Sequence, residues 1–168
     1  EIAGVLAFRS ALPMIKESLN YLNIFSPKAM LRFAPGHMKD LSTNDVQLSY
    51  SNLFSTNKTQ ETGVIESGTS AILGFDLSID KKKENENNYK KFSLSLGQTF
   101  NLENNFDLPS RSSLDQKMSD VVGEINYNFS KMGTIGYKFS IDHSLKELNY
   151  NEVSTELNFG KVQFNLDY

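Results

Sequence analysis

The sequence contains no cysteine and no tryptophan among its 168 residues, and only two histidines. Without cysteine, disulfide bonds, thiolate nucleophiles and thiolate metal sites are excluded. His37 and His143 are far apart in sequence and lack ligand-spaced neighbours, so no metal or other cofactor is expected. No stretch approaches the roughly 18 consecutive apolar residues of a spanning helix, which excludes a helical membrane protein but leaves a spanning β-barrel possible.

A strong excess of charge of either sign is also missing. The formal net charge is -3, and 22% of the residues are charged. Because the sequence has no excess of Lys and Arg, nucleic acid is not an expected partner. The chain opens at Glu1 inside a strand-like run, so we expect it to be a piece of a longer precursor.

What the sequence does contain is alternation with a period of two, which is typical of β-strands with two different faces. In residues 119–130, for example, Val121, Ile125 and Tyr127 alternate with Glu124 and Asn126. We expect strands at 2–12, 28–34, 44–50, 69–80, 91–100, 119–130, 134–142, 148–159 and 161–168.

The links between these strands differ greatly in length. Residues 131–133 and Gly160 form very short links, whereas 51–68 and 101–118 are long and polar. Because antiparallel neighbours alternate ends, the short links fall on one rim and the two long ones on the other, with 80–89 on the short-link rim despite its length. This arrangement is expected of outer-membrane barrels, whose short turns are periplasmic.

Periodicity alone does not say which face meets the solvent. In a soluble β-sandwich or small barrel the apolar face is the core, and in a membrane barrel it meets lipid. The unbroken registers of about 9 to 11 residues suit a tilted spanning strand. Aromatic residues expected near strand ends would suit an interfacial girdle: Phe129, Tyr137, Tyr150, Phe159 and Tyr168. Both architectures stay open at this point.

Charged residues in the strands have a structural interpretation. Asp76, Asp80, Glu124 and Asp142 fall on the polar face, but no nucleophile or oxyanion device accompanies them, so we expect lining of a lumen and no enzymatic activity. The run Lys81–Lys83 could contact anionic lipid phosphates, although a run of like charge is more usually a solvated loop.

Several segments in order resemble one known family, across roughly residues 28–127. They are KAMLRFAPG (28–36), NLFSTNK (52–58), IESGTSAILGF (65–75), SLGQTF (95–100) and LPSRSSLDQKMSDVVGEINY (108–127). This series is similar to the C-terminal barrel domain of the LptD family, the lipopolysaccharide-assembly or organic-solvent-tolerance proteins of the Gram-negative outer membrane.

The resemblance implies an all-β fold, an antiparallel up-and-down transmembrane β-barrel, of which residues 1–168 would be a single partial domain of eight or nine strands, truncated at both ends. It implies a location in the outer membrane and a role as barrel wall and extracellular loops of the translocon that inserts lipopolysaccharide into the outer leaflet. The implied partners are lipopolysaccharide, outer-membrane lipids, a plug lipoprotein (LptE-like) and periplasmic lipopolysaccharide-bridge proteins. The alternatives are a porin or uptake channel fragment and a soluble ligand-binding β-barrel.

The sequence departs from the family pattern in places. Lys58 stands where the pattern has Arg, and QETGV at 60–64 replaces a Gly-x-Asp-Arg run. The vicinal cysteines and the periplasmic jellyroll of many members are absent, as suits a piece from the middle of a barrel.

The two long segments carry much of the resemblance, and in the family such loops fold over the barrel mouth. We hypothesise that Asn52, Leu53 and Phe54 anchor one loop into the other around Leu108 and Pro109, which would close the lumen. Glu124 is the candidate lumen-lining residue.

Overall fold

The computed structural model describes residues 4–82, 89–129, 132–159 and 162–168, and these contain one antiparallel sheet of nine strands. The strands are β1 (Leu6–Ala11), β2 (Met14–Glu17), β3 (Tyr21–Ala34), β4 (Gly68–Lys81), β5 (Tyr89–Asn101), β6 (Val121–Asn128), β7 (Gly133–Ile141), β8 (Leu148–Phe159) and β9 (Val162–Asp167). The loops contain the short helix α1 (Tyr50–Leu53) and a 3₁₀ turn (Ser110–Ser112). Neither is a helix that could cross a membrane.

The strands pair in sequence order from β3 to β9, and β1 and β2 both pair with β3. Leu12 N donates to the carbonyl oxygen of Pro27, at 3.1 Å. Pro27 has no N–H to return, so the ladder lapses there before β2 resumes it in the same register. β1 and β2 therefore form one interrupted edge strand, and β9 forms the other edge. The sheet is not closed, which confirms the predicted incomplete barrel.

The register divides the sheet into two chemically distinct faces. One cross-strand row joins Phe25, Leu77, Leu94, Ile125 and Tyr137, and the side of the sheet that carries such rows is called the apolar face. The adjacent row on the other side, the polar face, is formed by Ser26, Asp76, Ser95, Glu124, Lys138 and Glu152. Side chains of one strand alternate between faces, so strict pairing keeps the two chemistries apart along these rows.

Burial is the reverse of that in a soluble β-domain. On the apolar face Leu31 and Phe164 are 62% and 58% exposed. On the polar face Arg32, Thr99 and Ser140 are at most 2% exposed. The cause is that loops 35–67 and 102–120 pack against the polar face and cover it. The buried core therefore lies on the side of the sheet that carries the hydrophilic strand residues.

The links follow the expected parity. The strand ends on either side of 18–20, 82–88, 129–132 and 160–161 share one rim, called the short rim, and loops 35–67, 102–120 and 142–147 share the opposite long rim. Lys83, Lys131 and Gly160, which entered the turn predictions, lie outside the described residues, as do residues 1–3 of the first predicted strand.

Two strand predictions are wrong. Residues 44–50 are not a strand. They lie in loop 35–67, where Val46 and Leu48 alternate because both are buried, without a strand partner. The strand predicted at 28–34 begins at Tyr21, because the polar Asn23 and the imino acid Pro27 masked its first half, and β2 was missed.

The aromatic positions only partly fit the expected girdle. Phe129 and Tyr168 directly follow β6 and β9, and Phe159 ends β8. Tyr137, however, is the fifth of nine residues in β7, and Tyr150 pairs with Ser140 on the polar face. These two residues are therefore not part of a strand-end belt on the apolar face.

Candidate functional site: two loops docked on the polar face

Both long loops contribute to one apolar cluster on the polar face. Its floor consists of three strand residues, Met30, Ile72 and Val122, each at most 1% exposed. Its roof consists of loop residues that are at most 5% exposed: Leu48, Leu53, Leu108 and Leu114. Burial of each such side chain contributes about 1.5 to 3 kcal/mol, so this cluster is a major reason why the loops stay on the sheet.

Asn52 shapes the segment that presents Leu53. Its Oδ1 accepts from Ser49 N at 2.9 Å, and its Nδ2 donates to Gln47 O at 2.9 Å. Asn52 is 4% exposed, so the two bonds satisfy a buried amide as well as the start of α1. Its role is to fold the loop locally.

Two facing glycines form the seat for Leu53 and Phe54. Gly74 and Gly97 are paired across β4 and β5 on the polar face. A Cβ at Gly97 would lie 2.4 Å from Leu53 Cδ2, and one at Gly74 would lie 3.0 Å from Phe54 Cζ and 2.5 Å from the Leu96 carbonyl oxygen. Only a residue without a side chain allows this close approach.

A buried charge cluster fixes the rest of loop 35–67. Arg32, Lys58 and Glu66 are 2%, 0% and 4% exposed. Glu66 forms ion pairs with Lys58 and with Arg32, the latter at 3.4 Å between Nη1 and Oε1. Arg32 also donates from Nε to Thr56 O at 2.7 Å, and from Nη2 to the Glu66 carbonyl oxygen.

Lys58 is the most buried member of this charge cluster. Burial lowers the pKa of its ammonium, and the adjacent Glu66 carboxylate opposes that shift. Two cations share one anion here, so removing Glu66 would leave both without their buried partner. The lysine at the position where the family pattern has Arg thus keeps the positive charge and the ion pair.

A second clamp joins α1 to the strands. Tyr50 Oη donates to Asp76 Oδ1 at 2.5 Å, and Asp76 also forms an ion pair with Lys28. Burial and the Asp76 hydrogen bond both raise the pKa of the Tyr50 phenol. Arg9, on the edge strand, donates to the Phe54 carbonyl oxygen. Loop 35–67 is thus tied to β1, β3 and β4.

Loop 102–120 is joined to loop 35–67 directly. Leu41 N donates to Asp107 O at 2.7 Å, and Asn105 Nδ2 donates to Ser67 O at 3.2 Å. Pro109 begins the 3₁₀ turn and, like Leu108, is buried. Leu53 and Leu108 belong to the same cluster. The structure therefore brings the predicted loop residues into one assembly of two loops, referred to below as the plug.

The far end of loop 102–120 is fixed by Asp120. Its Oδ2 accepts from Ser140 Oγ at 2.8 Å and from Asn149 Nδ2 at 2.8 Å. Asp120 is 5% exposed and directly precedes β6. These bonds tie the loop to β7 and β8 as well.

Glu124 lies in the same cross-strand row of the polar face as the plug anchor Asp76, next to the row that contains Val122. It accepts from Asn126 Nδ2 at 2.8 Å and is paired across the sheet with Lys138. Lys138 in turn contacts Glu152 at 2.8 Å. Glu124 is therefore part of a charged row that begins at Asp76, where Tyr50 of the plug contacts the sheet, and continues partly exposed to Lys138 and Glu152.

Several anchor residues were not among the predicted site residues, namely Lys28, Arg32, Tyr50, Glu66, Gly74, Asp76 and Gly97. Most of them occur inside the segments that carried the family resemblance, such as Arg32 in KAMLRFAPG and Glu66 in IESGTSAILGF. The signal was present, but the pairing of a strand-end arginine with a glutamate 34 positions later needs the tertiary fold.

An open, sequentially ordered antiparallel sheet, with an exposed apolar face and a polar face filled by loops, defines a section of an outer-membrane-type β-barrel. The family model described as LPS transport system D (LptD) matches residues 4–168. The chain therefore belongs to the LptD family, a family of outer-membrane β-barrel proteins that act in lipopolysaccharide transport and assembly. No curated protein matches the chain.

Proposed function

We propose that this chain forms a section of wall and part of the extracellular plug of the barrel that inserts lipopolysaccharide into the outer leaflet of the outer membrane. The single observation that carries the proposal is the inverted burial of the two faces. In the proposed orientation, the apolar face meets hydrocarbon, the polar face encloses a water-filled lumen, and the long rim is extracellular.

The exposed apolar face fits hydrocarbon rather than water. Large side chains along it, including Leu31, Leu73 and Phe164, are each more than half exposed. A contiguous apolar surface of this kind marks a protein or membrane contact, and here it extends along the strands of the sheet. The same inversion argues against a soluble barrel with an apolar interior.

The uncovered half of the polar face suits the passage of sugars. A charged sugar head cannot cross hydrocarbon without a cost of several kcal/mol for each unsatisfied polar group. Glu124, Lys138 and Glu152 provide ionic and hydrogen-bonding surroundings along the proposed lumen. In this proposal lipopolysaccharide is the partner of this face, and a plug lipoprotein (LptE-like), periplasmic bridge proteins and outer-membrane lipids contact the complete translocon.

The plug gives the proposal its second element. Three independent anchors hold it: the Leu53 seat on Gly74 and Gly97, the Glu66 charge cluster and the Asp120 bonds. A loop held this firmly on the lumen side blocks leakage through the mouth. This favours an assembly protein over a porin, whose lumen is an open aqueous channel.

The direct test deletes residues 104–114 from the protein that carries this segment. Loss of the Leu108 and Pro109 contacts should open the mouth, so cells should admit large antibiotics and detergents that the wild type excludes. Unchanged exclusion, with the variant present in the outer membrane at wild-type amounts, would contradict the plug role.

A pair of point variants provides a matched control. Leu53→Asp places a charge in a site that is 0% exposed, whereas Leu145→Asp changes a long-rim loop leucine that is 68% exposed. We expect leakage only for Leu53→Asp. Equal leakage from both variants would show that a charge anywhere on this rim disturbs the barrier.

A further inference from the structure

The apolar face has a charge distribution that neither lipopolysaccharide transport nor the plug requires. Acidic residues are missing from every described strand position on this face, and its basic residues occur only at the short rim. Lys16 pairs with Asn23 and Lys81 pairs with Tyr21, both on this face. A uniform lipid-facing surface would not collect its cations at one end.

A third lysine reaches the same surface through a break in the sheet. The register of β4 and β5 shifts between Ile79 and Asp80, so Lys91 falls out of the regular alternation. Its Nζ lies 5.6 Å from the centroid of the Tyr21 ring, on the apolar face. The shift thus directs a cation onto a face that is otherwise hydrocarbon-like.

Lys91 lines a groove of about 440 Å³, and Lys16 and Lys81 are paired across the strands with two other residues that line it, Asn23 and Tyr21. Its floor is the cross-strand row Asn23, Ile79, Phe92 and Tyr127. Ser18, Tyr21 and Lys91 complete its lining. The next row toward the middle of the sheet consists entirely of Phe25, Leu77, Leu94, Ile125 and Tyr137.

The groove therefore has a polar, cationic end at the rim and an apolar end toward the middle of the sheet. None of Lys16, Lys81 and Lys91 forms an ion pair within the described part of the chain, in contrast to Lys82, which pairs with Glu17. Three ammonium groups without a carboxylate partner, one of them against the Tyr21 ring, match an anionic headgroup, and the row beyond them matches acyl chains.

We propose that this groove binds the headgroup of an anionic glycerophospholipid, such as phosphatidylglycerol, in the inner leaflet of the outer membrane. The inference rests on the proposed function, because that function makes the short rim periplasmic. Bound lipid would fix the depth of the wall on the side opposite the plug. Lys81, read from the sequence as part of a solvated run, thus has a specific position beside Tyr21.

The test measures binding of acyl-labelled phosphatidylglycerol to the full protein that carries this segment, purified in nonionic detergent. The variant is K16Q/K81Q/K91Q. The matched control is K39Q/K117Q/K146Q, which removes three exposed lysines from the long-rim loops. A lysine near an anionic lipid surface contributes about 1 kcal/mol, or about fivefold in affinity, so the variant should bind on the order of 100-fold more weakly. The control should bind like the wild type.

Two further probes identify the ligand. Phosphatidylethanolamine should bind more weakly than phosphatidylglycerol, and glycerol phosphate without acyl chains should not displace the lipid. Equal binding of the two lipids, displacement by glycerol phosphate, or equal loss in variant and control would each overturn the inference. A variant that still enters detergent micelles but shows undiminished lipid binding refutes this site alone. A protein that is soluble and monomeric without detergent would instead contradict the proposed function.

Discussion

The two halves of the polar face differ although they belong to the same strands. Near the long rim this face carries Met30, Ile72 and Val122, and the plug covers it completely. Toward the short rim the same face carries Ser93, Asn126 and Ser154, which belong to a separate cross-strand row and stay partly exposed. The plug thus docks where the polar face carries an apolar cluster, although buried hydrophilic residues such as Thr99 and Ser140 also lie beneath it, and the half without that cluster stays partly exposed.

The largest expected effect comes from the charge cluster under the plug. Glu66→Gln leaves the Arg32 and Lys58 cations without their buried partner, so the free energy of unfolding should fall by about 3 to 5 kcal/mol. Urea titration of the protein refolded in detergent measures this, with proteolysis of loop 35–67 as a local readout. Glu147→Gln, at an exposed position on the same rim, should change little. Similar losses of unfolding free energy in both variants would show that the charge cluster does not stabilise the plug more than an exposed carboxylate does.

A second comparison sets the middle of the apolar face against its end. Leu94→Lys should lower the free energy of unfolding in lipid vesicles by about 2 to 4 kcal/mol, because a lysine at the bilayer midplane is costly. Val162→Lys, at the short-rim start of β9, should cost about 0 to 1 kcal/mol. Equal costs at the two depths would argue against a bilayer around this face.

A glycine pair compares the covered and open halves directly. Gly97→Ala pushes a methyl group into Leu53 and should cost about 1 to 3 kcal/mol through overpacking. Gly136→Ala, on the open half, meets only side-chain atoms of Ser154 and Asn126 and should cost less. The double variant Gly97→Ala with Leu53→Ala should recover part of the loss. The absence of any recovery would place the strain in the strand backbone instead.

The smallest effect is a pH dependence of the plug. Because the folded protein raises the pKa of Tyr50, the folded state keeps a proton that the unfolded chain loses above pH 10, and stability should fall as pH rises past that value. The difference in unfolding free energy between wild type and Tyr50→Phe should shrink by at most about 1.4 kcal/mol per pH unit there. A difference that is constant up to pH 11 would contradict this.

Lys58 acts in the opposite direction over an overlapping range. Its folded pKa lies below 10.5, so the unfolded chain holds more protons just below that value and stability should rise with pH there. Lys58→Met should abolish this rise. The two variants thus separate the contributions of α1 and of the charge cluster.

Much of this arrangement follows from alternation in the sequence. Strands β4 to β9 and the assignment of loops to rims could be predicted because, along most of each strand, apolar residues occupy one face and hydrophilic residues the other. The exceptions to alternation were informative but ambiguous: Ile72 beside Leu73 and Val122 beside Val121 showed only that both faces are apolar locally. Without the tertiary fold, nothing in the sequence distinguishes a docked loop from a second core there.

Other features could not be predicted from local patterns. Val46 and Leu48 imitate a strand because loop residues that dock on a sheet also alternate in burial. Tyr21 to Pro27 did not look like a strand because its pairing partners, not its composition, keep it extended. The ion pairs of Glu66 join segments far apart in sequence, and only the paired strands bring those segments together.

The central claim, that the apolar face meets lipid and the polar face does not, has one direct test. The 168 residues contain no cysteine, so Ser93→Cys and Leu94→Cys give unique label positions within this segment, on opposite faces of β5. A fluorophore attached at each is measured in vesicles of brominated lipid, which quenches on contact. We expect strong quenching at residue 94 and little at residue 93. Equal quenching at the two positions, or stronger quenching at 93, would contradict the account.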